Sequence, residues 1–401
     1  MINRVGDPDF SALHAAMQRW VDADLLPGVS VAVLTGDGKV HTHCTGMADR
    51  ERGLALREDH LFRVFSNTKL VTSCAVLLLH EDGRFDLDEP VERFLPALAH
   101  RRVLRHGARR IDDTVPARSP ITIRHLLTHT AGLSYGMFDP GTTLFTAYVK
   151  QRVLAVDTTL AQMVDVLGGL PLAFEPGTDW MYSVATDVLA RLVEVCSGQR
   201  FDRFIDERIL QPLHMTDTAF VVPEGERERL AALYVGASLT DPMRPGLERA
   251  ERLLPPQANL RPVARLSGGG GLVSSLGDMV KLLRALMPAA ASRASTLLKP
   301  STFEAMIHNQ LPPGRFIAFP GVGELTGKGF GLAGGVVVTP AASEHPDSAG
   351  ECYWGGVAAT QWWISPRHRL AGALMTQRWF GYADPFVADL KREAYRAVLR
   401  R

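Results

Sequence analysis

The chain has 401 residues, 46% of them hydrophobic and 22% charged, the make-up of an ordinary globular protein. Lys and Arg number 44 against 43 Asp and Glu, a net charge of +1, which argues against a nucleic-acid binder or a charge-held membrane protein. A chain this long buries roughly three quarters of its unfolded surface, so it needs no disulfide or metal staple. Cys44, Cys74, Cys196 and Cys352 lie far apart and support neither a zinc site nor a disulfide framework. The first twenty residues hold no apolar signal core and no apolar run is long enough to span a bilayer, so a cytoplasmic protein is expected.

Phe10, Leu13, Met17, Trp20 and Val21 recur at helical spacing and predict a first helix, closed by Pro27-Gly28. Residues 28–48 read as a β-hairpin turning at Gly36-Asp37-Gly38, and a helix is predicted from about Ser66 to His80. Helical periodicity then dominates near 121–130, 157–170, 183–197, 201–210 and 278–287. The Pro- and Arg-rich stretch 241–265 reads as an ordered surface loop. Strand signals return after about 329, in GFGLAGGVVV, WGGVAAT, QWWISP and LAGALMT. A last helix carries Val387, Leu390, Ala394 and Val398 on one face. Strands at both ends with helices between predict an α+β fold. One antiparallel sheet domain would use 1–85 and 266–401, flanked by the terminal helices. A mostly helical domain would use 86–265, with the active site between the two.

Three local patterns could carry chemistry. Ser66-Asn67-Thr68-Lys69 opens a helix, where positions i and i+3 share a face, so the Lys69 amine can lie beside the Ser66 hydroxyl. Serine needs a nearby base, and lysine serves as one only if its pKa is lowered; the apolar run after Lys69 predicts such a depression by burial. Tyr182, in WMYSV before a helix, can project a phenol into a cleft and relay a proton. Trp354-Gly355-Gly356-Val357 puts adjacent glycines in a strand, where a backbone N–H can serve an oxyanion hole. Alone, each has an ordinary alternative: a surface Ser–Lys pair, a core tyrosine and a curvature bulge.

Together, in this order and spacing, the three motifs resemble the serine β-lactamase-like superfamily, and most closely its class-C-β-lactamase-like (family VIII) carboxylesterases. The flanks LFRVFSNTKLVTS, GRFDLDEPVERFLP, ITIRHLLTHTAGL and FEPGTDWMYS extend the likeness over nearly the whole chain. The resemblance implies an antiparallel sheet with a helical domain and the site between them. It implies Ser66 as acylated nucleophile, Lys69 and Tyr182 as its proton-transfer network, and the backbone N–H groups of Ser66 and Val357 as oxyanion hole. Which of Lys69 and Tyr182 takes the first proton stays open. Penicillin-processing relatives carry Lys-Thr-Gly where Trp354-Gly355-Gly356 stands, and Asn where Val184 stands. An anionic β-lactam therefore loses a charge-assisted partner worth about 1.5–3 kcal/mol.

The resulting expectation is a serine carboxylesterase acting on a small-molecule ester, with no cofactor, metal, nucleic-acid or membrane partner. Trp354, Gly355 and Gly356, with Tyr135, Trp180 and Trp362, are expected to line the substrate pocket. The same residues would serve an acyltransferase, an amidase or D-aminopeptidase; a catalytically inactive binding homologue is the rival from another class. Three look-alikes are set aside. Ser134, in G-x-S-x-G, lacks the strand before it and helix after it that a nucleophile elbow needs. His125 and His129 have no third ligand and are expected to bond backbone near the cleft. Ser267 to Gly271 is expected to form a backbone wall facing substrate, followed by a Ser275-x-x-Asp278 capping box. Sequence leaves the oligomeric state undetermined.

Overall fold

Alternating apolar residues at both ends of the chain make two sets of strands that each need covering on two faces, and they meet that need jointly. The computed structural model describes residues 8–138, 140–238, 240–255, 257–287, 297–319 and 322–399. An eight-stranded antiparallel sheet runs in the spatial order Lys328–Phe330, Gly335–Val337, Cys352–Gly355, Gln361–Ser365, Leu370–Met375, Gly28–Leu34, Val40–Asp49, Leu54–Ala55. The join is the pairing of Gly28–Leu34 with Leu370–Met375, in register from Ser30 opposite Met375 to Leu34 opposite Ala371. Gly28–Leu34 is buried at every position, as a strand covered on both faces must be. The hairpin turns where expected, with Gly38 at φ +85°.

The outer face is covered by the terminal helices Ser11–Asp22 and Pro385–Val398. Leu13, Met17, Trp363, Phe386, Leu390 and Tyr395 form one apolar layer there. The Trp20 indole N–H donates to Asp389 at 2.8 Å and ties the two helices together. Against the inner face lies Leu276–Leu286, on Gly28–Leu34 and Leu370–Met375; the central helix, Thr68–Glu81, is buried from Thr68 through Leu79 and packs on Ala185–Ser197. The middle of the chain supplies Ile123–Leu127, Leu160–Gly168, Ala185–Ser197 and Phe201–Ile205, the last running on into a π turn, Asp206–Leu210.

Several details differ from the sequence reading. The segment that carries Ser66 begins as a 3₁₀ turn, Phe65–Asn67, before the α-helix starts at Thr68. Phe65 there takes φ +43°, a left-handed backbone that no periodicity reveals. The short helices Thr143–Lys150 and Pro300–Ile307 carry too few turns to announce themselves. The stretch 241–265, expected to be an ordered loop, also carries a strand, Leu247–Arg249, that pairs with Tyr234–Gly236, which pairs in turn with Arg378–Trp379. Leu61–Arg63 pairs with Val273–Ser275 and draws the glycine run 268–271 alongside the start of the central helix. Among the described residues, no helix is long and apolar enough to cross a membrane.

A Cβ on Gly372 would lie 2.2 Å from the Trp363 ring. Gly372→Ala should therefore destabilise the fold by about 1–3 kcal/mol, read as a lower urea midpoint.

Candidate active site

The 3₁₀ turn leaves Ser66 half-buried at the head of the central helix, with its Oγ facing two partners. The Tyr182 hydroxyl donates to Ser66 Oγ at 2.7 Å, and Lys69 Nζ donates to it at 3.3 Å. Tyr182 is positioned by the segment that enters Ala185–Ser197: the Val184 N–H donates to Ser134 O at 3.1 Å and the Met181 N–H to His129 O at 3.0 Å. A third group also reaches the phenol, since the Trp354 indole N–H lies 3.3 Å from the Tyr182 oxygen.

Lys69 is 2% exposed and makes its shortest bond, 2.7 Å, to the carbonyl of Gly269. The glycine run thus grips the lysine instead of facing substrate. It has little room for side chains: a Cβ on Gly268 would lie 2.7 Å from that of Ala190, and one on Gly269 would lie 2.7 Å from Asp187 Oδ2 and 3.4 Å from Lys69 Nζ. Asp187 is fully buried and ion-paired to Arg265 at 3.3 Å. The ammonium also stands 4.6 Å from the centroid of the Tyr182 ring and 5.5 Å from that of Tyr135. Burial is the largest single influence on Lys69 and pulls its pKa down. The Tyr135 and Tyr182 oxygens and the Asp187 carboxylate together outweigh that pull, and the net direction is upward. The expected depression is therefore corrected: Lys69 rests as an ammonium. Burial in turn pushes the Tyr135 phenol up to about 12.

The end of strand Cys352–Gly355 reaches the same spot. A Cβ on Gly356 would lie 2.5 Å from Val64 O and 3.3 Å from Phe65 Cβ, so only glycine permits this approach. Thr360 Oγ1 donates to Val64 O at 3.1 Å and the Gly356 N–H to Thr360 O at 2.7 Å, which fixes the turn. Among the described residues, neither the Ser66 nor the Val357 N–H donates a hydrogen bond. A cleft of about 300 Å³ lies beside Tyr182, lined by Tyr135, Phe138, Trp180 and Phe319 among others.

Residues 14–396 match the family described as Beta-lactamase. The chain belongs to that family. It is 33% identical over 379 residues to Esterase EstB of Burkholderia gladioli, covering 91% of this chain and 90% of that protein. Among solved structures it is similar to EstCE1, a hydrolase with promiscuous acyltransferase activity (25% identity, TM-score 0.76, 96% and 97% of the two chains). It is also similar to Simvastatin Synthase (LovD) of Aspergillus terreus (25% identity, TM-score 0.78, 97% and 98%). This β-lactamase fold with its serine site makes the chain a β-lactamase-like hydrolase.

Within this β-lactamase-family chain the remaining expected residues fall in different places. Trp180 and Tyr135 both stack on Tyr182, at centroid distances of 6.2 and 5.3 Å, so they hold the phenol as well as line the cleft. Trp354 donates to Tyr182 and, with Gly355 and Trp362, also borders a cavity beside the site. Gly355 is covered by the Gln361 side chain, and Trp362, opposite Trp354 in register, is fully buried. Ser134 is buried, and its Oγ accepts from the Gly136 N–H at 3.4 Å inside a turn. The Ser275 side chain caps Leu276–Leu286, but Asp278 completes no capping box; it accepts from Thr218 Oγ1 at 2.9 Å and from the Asp217 N–H at 2.8 Å. His125 accepts from the Thr122 N–H at 3.2 Å. His129, expected to bond backbone, instead pairs its Nδ1 with Ser183 Oγ at 3.0 Å and packs its ring on Tyr182. Sequence reasoning passed over Asp187, whose only signal is an acid on the apolar face of Ala185–Ser197.

Burial, reinforced by Lys69, holds the His129 imidazole well below its usual 6.5. Below about pH 6.5 the unfolded chain takes up a proton that the folded chain refuses, so this histidine costs stability as pH falls and nothing above it. His129→Asn, which tolerates the φ of +57° found there, should lower the urea midpoint at neutral pH. It should also lose less of that midpoint than wild type between about pH 7 and pH 5.

Proposed function

We propose that the chain is a serine carboxylesterase that works through an acyl-enzyme on Ser66. The observation that carries this reading is the contact of one hydroxyl, Ser66 Oγ, with both the Tyr182 phenol at 2.7 Å and the Lys69 ammonium at 3.3 Å. With Lys69 charged, Tyr182 takes the Ser66 proton as a phenolate, its own proton having first passed to solvent, and the Ser66 hydroxyl then donates to it. The negative charge of that phenolate is met by the nearby ammonium and by the Trp354 N–H. Ser66 then attacks the ester carbonyl, whose oxygen takes the free N–H groups of Ser66 and Val357. Tyr182 returns its proton to the leaving alcohol, and water, activated in the same way, releases the acid.

Esters are favoured over β-lactams because the group beside Tyr182 is a neutral indole, and no cation from the Trp354-Gly355-Gly356 segment stands ready for a substrate carboxylate. Acyl transfer is the second reading. It is favoured by the aromatic cleft around Tyr182, which suits an apolar alcohol as acceptor, and by the transferase activity named for EstCE1.

Ser66→Ala should abolish p-nitrophenyl ester hydrolysis and fluorophosphonate labelling, whereas Ser134→Ala should keep the label; labelling at Ser134 alone would refute the assignment. Tyr182→Phe should lower kcat by on the order of 10²–10⁴. Nitrocefin should turn over slowly or not at all, and adding an alcohol to an activated ester should partition product between acid and new ester in proportion to transferase character.

A further inference from the structure

Beside the cleft at Tyr182 lies a larger cavity, of about 610 Å³. Its volume falls within the roughly 300–1,000 Å³ of ligand sites, and what sets it apart is its aromatic lining next to Tyr182. It begins where Phe319, Trp354 and Tyr382 meet; Phe319 stands 5.8 Å from the Tyr182 ring and 6.4 Å from those of both Trp354 and Tyr382. From there it passes the strand end at Gly355 and Gln361 and continues along the outer face of the sheet. Tyr353 and Trp363 line it on the sheet side, and Val387 and Ala388 of the terminal helix line it opposite.

Sheet register gives its length. Lys328 is opposite Val337, whose N–H bonds Glu351 O, so Lys328 stands level with Glu351, four residues from Gly355. At about 3.3 Å per residue the cavity runs roughly 13 Å along that strand. Most of the charged side chains around it are paired: Lys328 with Glu344 and Lys391 with Glu351 at 2.6 Å at the far end, and Asp384 with Arg378 at 3.0 Å near Tyr382, while Glu324 stands exposed at the rim. The paired charges have little left for an ionic head group, while the aromatic and aliphatic lining suits hydrocarbon.

We propose that this cavity takes a long, unbranched, uncharged alkyl chain of the ester, on either its acyl or its alcohol side. The proposal rests on the ester-hydrolase reading and adds the substrate class to it. Each methylene taken up should raise kcat/KM roughly three- to fourfold until the cavity is full.

The test compares kcat/KM along two series, p-nitrophenyl acetate to octanoate and ethyl to octyl acetate, in wild type, Ala388→Phe and Thr326→Phe. The two variants fill the cavity from opposite walls, and Thr326 lies on an exposed loop where a larger side chain is tolerated. A rise with length along the acyl series, with the octanoate-to-acetate ratio cut at least tenfold in both variants, supports the proposal and assigns the chain to the acid. The same pattern along the alcohol series supports it and assigns the chain to the alcohol. Flat profiles, or ratios unchanged in both variants, overturn it. Titration of octanol into Ser66→Ala, alone and with Thr326→Phe, reads the cavity without catalysis. If no ester is cleaved yet octanol binds and the second substitution weakens it at least tenfold, the cavity stands and the hydrolase reading falls. If octanol does not bind, the cavity proposal falls whatever the esters do.

Discussion

The site is organised around a buried positive charge. Lys69 sits inside an apolar helix bundle, and a lone ammonium there would be driven to lose its proton. What keeps it charged is a surround assembled from distant parts of the chain: the Gly269 carbonyl, the rings of Tyr135 and Tyr182, and the Asp187 carboxylate. Much of the local architecture follows from admitting that charge. The glycine run is bare of side chains so that its carbonyl can reach Nζ between two helices. The pair Asp187–Arg265 is buried where a carboxylate can act on Lys69 while its own charge is matched.

Two strained or crowded points serve the same spot from the other side. Phe65 adopts φ +43°, a conformation costing on the order of 1–3 kcal/mol for a residue of this type, and Ser66 follows it directly. Gly356 presses against Val64 and Phe65 and leaves the Val357 N–H open beside the serine. Tight contact on both sides of residue 66 limits how far its hydroxyl can wander, which is the preorganisation that the role proposed for Ser66 requires.

The parts legible in sequence were those set by local geometry. The i, i+3 spacing brings Ser66 and Lys69 together whatever the rest of the chain does, and the periodic apolar faces at both ends foretell terminal helices packed on a sheet. Long-range assembly was not legible. The charge state of Lys69 depends on residues 135, 182, 187 and 269, which no local window contains. The donor role of Trp354 depends on a strand meeting a loop 172 residues away in sequence. The outer cavity is bounded by Phe319, by 322–326, by 353–363 and by 382–391, and no local window shows that these segments meet.

The seam between Gly28–Leu34 and Leu370–Met375 has a consequence for how the molecule comes into being. A ribosome delivers the first of these strands long before the second, so the early hairpin must wait with one edge unpaired, a situation that slows folding and invites wrong partners. Ser66, Lys69 and Tyr182 all emerge while Val357 is still unsynthesised. A nascent chain therefore carries its hydroxyl and its amine without strand Cys352–Gly355, and the contact of Trp354 with Tyr182 forms only as the sheet closes.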